Sequence, residues 1–187
     1  MPAPSYLTNH VLIAMPSMQD PNFARTVTYV CEHSDHGAMG IVINRPSELK
    51  LRDVLAQMSL PLDRTELVST PVFLGGPVQP ERGWVLHEPG GQWESSFSVS
   101  DWLAVTTSRD ILAALAEGRG PRRAMLALGY AGWSAGQLDR EMLENAWLTA
   151  EATPQLLFEI APEERWESAT RLVGINPSTL SNYAGHA

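Results

Sequence analysis

The apolar positions of the first half of the chain fall in short runs of strand length. HVLIAMP, residues 10–16, is an apolar run ended by Pro16 and predicts a first strand, with SMQDPNF as a loop after it. RTVTYVCEH, 25–33, is rich in β-branched and aromatic residues and predicts a strong strand. SDHG, 34–37, predicts a turn, and AMGIVIN, 38–44, a second strand closed by Arg45-Pro46, so the pair reads as a hairpin. LKLRDVLAQM then places Leu51, Val54, Leu55 and Met58 at helical spacing.

PVFLGGPV, 71–78, holds a short strand and a Gly-Gly-Pro turn. RGWVLH, 82–87, predicts the next strand, placed to pair with the one before it. SSFSVS, 95–100, alternates polar and apolar, as an edge strand does. SRDILAALAEG, 108–118, predicts a helix with Ser108 as cap and Gly118 as stop. RRAMLALGYAG, 122–132, predicts a buried strand and SAGQLDREMLENA, 134–146, a helix. WLTA and QLLFEI, 155–160, predict short strands, and PEERWESATRLVG a last helix with Pro162 near its start. Hairpins in the first half argue for an α+β fold rather than a doubly wound parallel sheet. No repeat or long linker divides the 187 residues, so one domain is expected, weakly patterned at its ends, about 1–6 and 178–187.

The formal charge of −8 offers no global attraction to nucleic acid or anionic lipid. The single cysteine, Cys31, excludes an intramolecular disulfide. The N-terminal stretch has no basic region, and VLIAM is too short for a signal-peptide core or a membrane span. A soluble cytoplasmic protein is expected.

GWSAG, 132–136, fits the G-x-S-x-G elbow of serine hydrolases, between a predicted strand and a predicted helix. A serine nucleophile needs a base, and the only histidine after Ser134 is His186, next to the terminus. Ser134 and Gln137 instead make an S-x-x-Q capping box, which satisfies backbone N–H groups at a helix start. CEHSDH, 31–36, gathers metal-ligand types. Strand alternation puts Cys31 and His33 on one face and Glu32 on the other, two ligands where zinc wants three or four. No metal and no cofactor are expected. Cys31 reads as a small core residue rather than a reactive thiol. Gly75-Gly76-Pro77 reads as a tight turn without a nucleotide motif. Arg45, at a strand end, has two roles open to it: a bidentate hold on a carboxylate or phosphate, or tying down a loop.

Three blocks taken together, DPNFARTVTYVCEHSDHGAMGIVINRP, FLGGPVQPERGWVLH and LGYAGWSAGQLDREMLENAWL, resemble the AlgH/YqgE family of bacterial proteins and occur in its order. The positions that match the family pattern include Pro21, Asn22, Phe23, Glu32, His33, Gly37, Gly40, Asn44, Arg45 and Pro46 in the first block. They include Gly75, Gly76, Pro77, Val78 and His87 in the second, and Gly129, Gly132, Trp133, Gly136, Gln137 and Leu138 in the third. The resemblance implies one α+β domain with a bifurcated β-sheet folded into a pseudo-barrel and flanked by helices. It also implies a family labelled as transcriptional regulators, with no established enzymatic activity. In that pattern the position of Ser134 is not held by serine.

The expectation is therefore a non-enzymatic binding or regulatory protein with an unknown protein or small-molecule partner. Its candidate surface is Glu32, His33, Asn44, Arg45, Gly75, Gly76, His87, Trp133 and Gln137, largely at strand ends and turns, where sites usually lie. The alternatives are a hydrolase using Ser134 and a direct DNA binder, for which Arg119, Arg122 and Arg123 form the only local basic cluster.

Overall fold

The computed structural model describes residues 6–60 and 69–174. The weakly patterned ends and His186 lie outside these residues, apart from Tyr6, whose hydroxyl donates to Asp35 Oδ1 at 3.0 Å. The elements run β1 (His10–Ala14), β2 (Val27–Ser34), β3 (Gly37–Val42), β4 (Pro46–Lys50), α1 (Leu51–Gln57), β5 (Pro71–Leu74), β6 (Val78–His87), β7 (Ser96–Ser98), β8 (Ala104–Thr106), α2 (Arg109–Ala116), β9 (Ala124–Trp133), α3 (Gln137–Leu143), β10 (Trp147–Glu151), α4 (Pro154–Phe158), a 3₁₀ turn (Pro162–Glu164) and α5 (Arg165–Leu172). This is an α+β fold, one domain built on a curled, mostly antiparallel sheet in the order β10-β1-β2-β3-β9-β6-β8-β7, with the β4–β5 pair branching from β9. The predicted β2–β3 hairpin forms with Asp35 and His36 as its loop, and the predicted edge strand, β7, is at the sheet's end.

Apolar runs without alternation are explained by cover on both faces. In β1, Val11 and Ile13 enter one core, packed with Leu156 and Trp166 of α4 and α5. Leu12 and Ala14, between them, enter a second core with Leu138 of α3 and Trp147. A third core lies under α1 and α2, where Leu55, Ile111 and Leu115 meet Val85 and Leu126. The predicted stop of α2 is realised: Gly118 takes φ +77° and the Arg119 N–H returns to Ala114 O at 2.8 Å, a Schellman ending.

The sheet divides along β9. Its first half runs parallel to β5, with Phe73 opposite Ala127. Its last residues pair with β3, Trp133 opposite Ala38. Gly129, at φ +79°, marks the change. Before it Met125 and Ala127 face the first core; after it Tyr130 does so, while Ala131 and Trp133 face the α3 side. Gly75 and Gly76 leave β5 at the same place. The Gly75 N–H donates to Leu128 O at 2.7 Å, and the Val42 N–H donates to Gly75 O at 2.8 Å.

Three sequence expectations are corrected. RGWVLH, within β6, pairs with β8 and β9 rather than with β5, because the Gly75-Gly76 crossing places β5 and β6 on opposite sides of β9. QLLFEI is helical where a strand was expected: Thr153 Oγ1 accepts the Leu156 N–H at 3.2 Å and Pro154 starts the turn, so local capping overrides the apolar run. Cys31 and His33 do not share a face. Val30 opposes Gly40 and Glu32 opposes Met39, which leaves Cys31 as the extra residue of a bulge. Cys31 stays in the first core, and His33 turns to the α3 side opposite Ala38.

Candidate functional site

The nine candidate residues divide into three stations. His87 opposes Ala124 at the start of β9, whereas Trp133 opposes Ala38 at its end. Nine residue steps of extended strand separate them by roughly 30 Å. Asn44, Arg45, Gly75 and Gly76 lie between, where β3 and β5 end.

At the middle station the side chains serve the fold. Asn44 Oδ1 accepts the Val27 N–H at 2.9 Å and its Nδ2 donates to Arg25 O at 3.0 Å. Arg45 donates from Nη1 to Asn22 O at 2.6 Å and from Nη2 to Ala24 O at 3.0 Å. Of its two possible roles, Arg45 has the second: its fork holds the 20–26 loop. Partial burial draws its pKa below the ordinary value, which the nearby Asp20 opposes. His87 is buried, with Nδ1 2.8 Å from Glu88 O and Nε2 2.7 Å from Thr106 Oγ1. That geometry suits a neutral ring donating from Nδ1, and burial accordingly pushes its pKa down.

The remaining four residues meet at the far end, around the β2–β3 hairpin and α3. The bulge at Cys31 leaves the Glu32 side chain exposed and carries His33 into the structure. His33 Nδ1 accepts the Leu7 N–H at 2.9 Å, its Nε2 lies 3.4 Å from Asp139, and Tyr6 packs edge-on at 5.5 Å. Trp133, Trp147 and Phe23 form an aromatic cluster with centroids 5.7 to 6.3 Å apart. Glu141 closes it: its Oε1 accepts both indole N–H groups, from Trp133 at 3.2 Å and Trp147 at 3.0 Å, and its Oε2 accepts Gln137 Nε2 at 2.9 Å. Beside this platform a cleft of about 240 Å³ is lined by Glu32, His36, Met39 and Trp133. Glu141 escaped the sequence reading. Its spacing of four from Gln137 puts the two on one helix face, but the indoles that need it come from β9 and β10.

Ser134 is not an activated nucleophile. Its hydroxyl donates to Gln137 Oε1 at 3.2 Å, and no histidine nitrogen among the described residues bonds to it. Only half of the expected capping box forms. Gln137 Oε1 accepts the Ser134 N–H at 3.0 Å, but the residue at the cap position is Gly136, at φ +74°, and the serine hydroxyl accepts no helix N–H. We therefore expect Ser134→Ala to cost less than about 0.5 kcal/mol and Gln137→Ala about 1 kcal/mol. Urea unfolding of the two variants checks the order; an equal or reversed cost would restore the full capping box. Ser108 likewise occupies its cap position without capping: its hydroxyl donates to Asp110 at 2.5 Å. Cys31 is buried, and burial raises its thiol pKa, the reverse of what a reactive thiolate needs. Among the described residues no group of three His, Cys, Asp or Glu is placed to hold a metal ion. No described helix is long and apolar enough to cross a membrane.

One residue outside the candidate set stands out. Arg165, the first residue of α5, is 5 % exposed and lines a largely apolar cavity of about 300 Å³ between α4, α5 and the start of β9. Its place four residues before Ala169, on the buried face of α5, is the signal the sequence carried.

The AlgH-like (DUF179) family model matches residues 11–178. A UPF0301 protein of Methylococcus capsulatus is 56 % identical over 181 residues, 97 % of this chain and 96 % of that protein. Another, of Thioalkalivibrio sulfidiphilus, is 52 % identical over 187 residues, the full length of both. The solution structure of the AlgH protein of Pseudomonas aeruginosa superposes with a TM-score of 0.80 at 49 % identity, covering 97 % of this chain and 96 % of that one. With that fold and those three sequence blocks, the chain belongs to the AlgH-like family.

Proposed function

We propose that this is a non-enzymatic cytoplasmic binding protein that acts in regulation indirectly, by docking a partner at the β2–β3 hairpin and α3 end. One observation carries the reading. Glu32, His33, Trp133 and Gln137, drawn from three elements, come together there, and the exposed Glu32 side chain borders a cleft floored by Trp133. The buried members are held by Glu141, Asp139 and backbone groups, so the platform is preorganised. Its chemistry favours a protein segment with cationic or N–H donors. Glu32, Asp35, Asp139 and Glu141 are all acidic, and DNA phosphates would be repelled. The only local arginine cluster is partly neutralised: Arg119 pairs with Glu117, and Arg123 with Glu159 at 2.5 Å.

The test compares three baits in bacterial lysate: wild type, Glu32→Lys and Glu94→Lys. Glu94 is exposed beside β7, the strand at one end of the sheet order, away from β2 and β3. A partner held by wild type and by Glu94→Lys, and weakened at least about tenfold by Glu32→Lys, is the expected result. Equal retention by Glu32→Lys would overturn the docking site. Salt-sensitive binding of duplex DNA by the purified protein would overturn the indirect mode.

A further inference from the structure

The cavity beside Arg165 lies near the His87 end of β9, away from the proposed docking end, and is independent of that reading. Its walls are largely apolar, with Leu51, Phe73, Leu115, Leu126, Leu157 and Ile160 facing it, and Thr70 and Glu159 are the other polar side chains of the lining besides Arg165. Into this wall the fold brings one cation. The Arg165 side chain donates from Nε to Ile160 O at 2.9 Å and from Nη1 to Ile43 O. Its Cζ lies 5.2 Å from the Phe73 centroid. These partners are all neutral, and no carboxylate among the described residues forms an ion pair with it. Glu159, at the rim, is already paired with Arg123.

Burying a guanidinium against carbonyls and a ring alone is costly, because neither returns the ionic hydration that is lost. Replacing it by an apolar residue would fill the same space more cheaply, so the charge needs a reason. Burial lowers its pKa to about 10, with Glu163 opposing, so it is still a cation at neutral pH. The two carbonyls use Nε and one Nη1 hydrogen, whereas among the described residues Nη2 has no acceptor. Arg165 lines the cavity and the two carbonyl bonds fix its plane, so the Nη2 edge they leave unused is a fork for a planar anion.

We propose that this cavity is a binding site for a small organic carboxylate, whose carboxylate group bonds to the open edge of Arg165 and whose apolar body lies among Phe73, Leu115, Leu126 and Leu157. At roughly 30 Å³ for each non-hydrogen atom, the space suits a ligand of about ten such atoms. An inorganic anion would satisfy the fork and leave the apolar walls wet; an uncharged apolar molecule would fill the walls and leave the fork unanswered.

The test titrates the full chain by calorimetry with octanoate, octan-1-ol and inorganic phosphate. Octanoate binds at one site, octan-1-ol at least about tenfold more weakly, and phosphate without measurable heat. Arg165→Lys weakens octanoate by about tenfold or more and changes octan-1-ol by less than about twofold. Arg165 also supports the fold through two carbonyls, so a second variant acts without touching it. Ala161→Trp places an indole at the rim, at an extended position before Pro162, and removes the binding of both eight-carbon probes. The proposal is overturned if wild type fails to bind octanoate, or if octan-1-ol binds within about threefold of it. It is also overturned if phosphate binds as well, or if octanoate binding survives Ala161→Trp.

Discussion

Gly76→Ala is expected to lose about 4 kcal/mol of stability, a large part of what a domain of this size has, or to prevent folding. Gly76 takes φ +154°, and a Cβ there would stand 2.1 Å from the carbonyl carbon of Tyr130 and 2.5 Å from Ala131 N. The obstacle is backbone in the central strand, which cannot rotate away as a side chain can. Neither side can retreat, because Gly75 is bonded to Leu128 on one flank and to Val42 on the other. A strained φ and an overpacked site each cost on the order of 1–3 kcal/mol. Gly83→Ala is the control. A Cβ at that position would meet Leu126 Cδ1 at 3.4 Å, ordinary van der Waals contact, so the change is expected within about 1 kcal/mol of wild type. In urea, with a slope of about 2 kcal/mol per molar, Gly76→Ala moves the midpoint down by about 2 M and Gly83→Ala by less than about 0.5 M. Similar midpoints for the two variants would show that the fork of the sheet does not depend on a glycine crossing.

Asn44→Ala is expected to cost about 3 kcal/mol. Val27 is fully buried, and its N–H has the Asn44 amide oxygen as acceptor, so truncation leaves a buried donor unsatisfied. The Arg25 carbonyl loses its donor in the same step. Arg25 is itself in the left-handed region at φ +56°, with its guanidinium 4.2 Å from the centroid of Trp166, and this conformation persists only while its surroundings hold it. Asn44→Asp keeps the acceptor for Val27 but turns an oxygen toward Arg25 O, so it recovers only part of the loss. Hydrogen exchange reads the effect locally. The Val27 and Ala24 amides, the latter bonded to Asp20 O at 2.8 Å, should exchange faster in Asn44→Ala before the rest of the sheet does. Unchanged protection at Val27 would show that Asn44 is dispensable to the loop and return it, with Arg45, to the pool of free ligand groups.

The two predictions concern residues that the family pattern also contains, and their roles are architectural. Gly75, Gly76 and Gly129 let two strand neighbours share β9, and Asn44 and Arg45 fasten the loop that precedes β2. A match to a motif therefore divides, in this protein, between residues that shape the sheet and a smaller set at the hairpin end, where the exposed Glu32 stands beside the buried His33 and Trp133.

Local chemistry determined much of this without the fold. Runs of β-branched residues placed β2 and β3, the Asp35–His36 loop made them a hairpin, and the alternation in SSFSVS marked an edge strand. Glycine at 118 ended α2 as the sequence suggests. These features depend on neighbours a few residues away, so the sequence carries them. Partners and faces were decided only in three dimensions. Periodicity assigns a residue to a side of its own strand, but one extra residue at Cys31 reverses every side that follows it. An apolar run such as QLLFEI suits a strand or a helix equally until Thr153 and Pro154 cap it. The spacing of Arg165 from Ala169 puts it on the buried face of α5, but its partner, the carbonyl of Ile43 122 positions earlier, and the cavity beside it exist only in the fold. Burial, hydrogen-bond partner and open edge are properties of contacts between distant segments, which spacing along the chain does not encode.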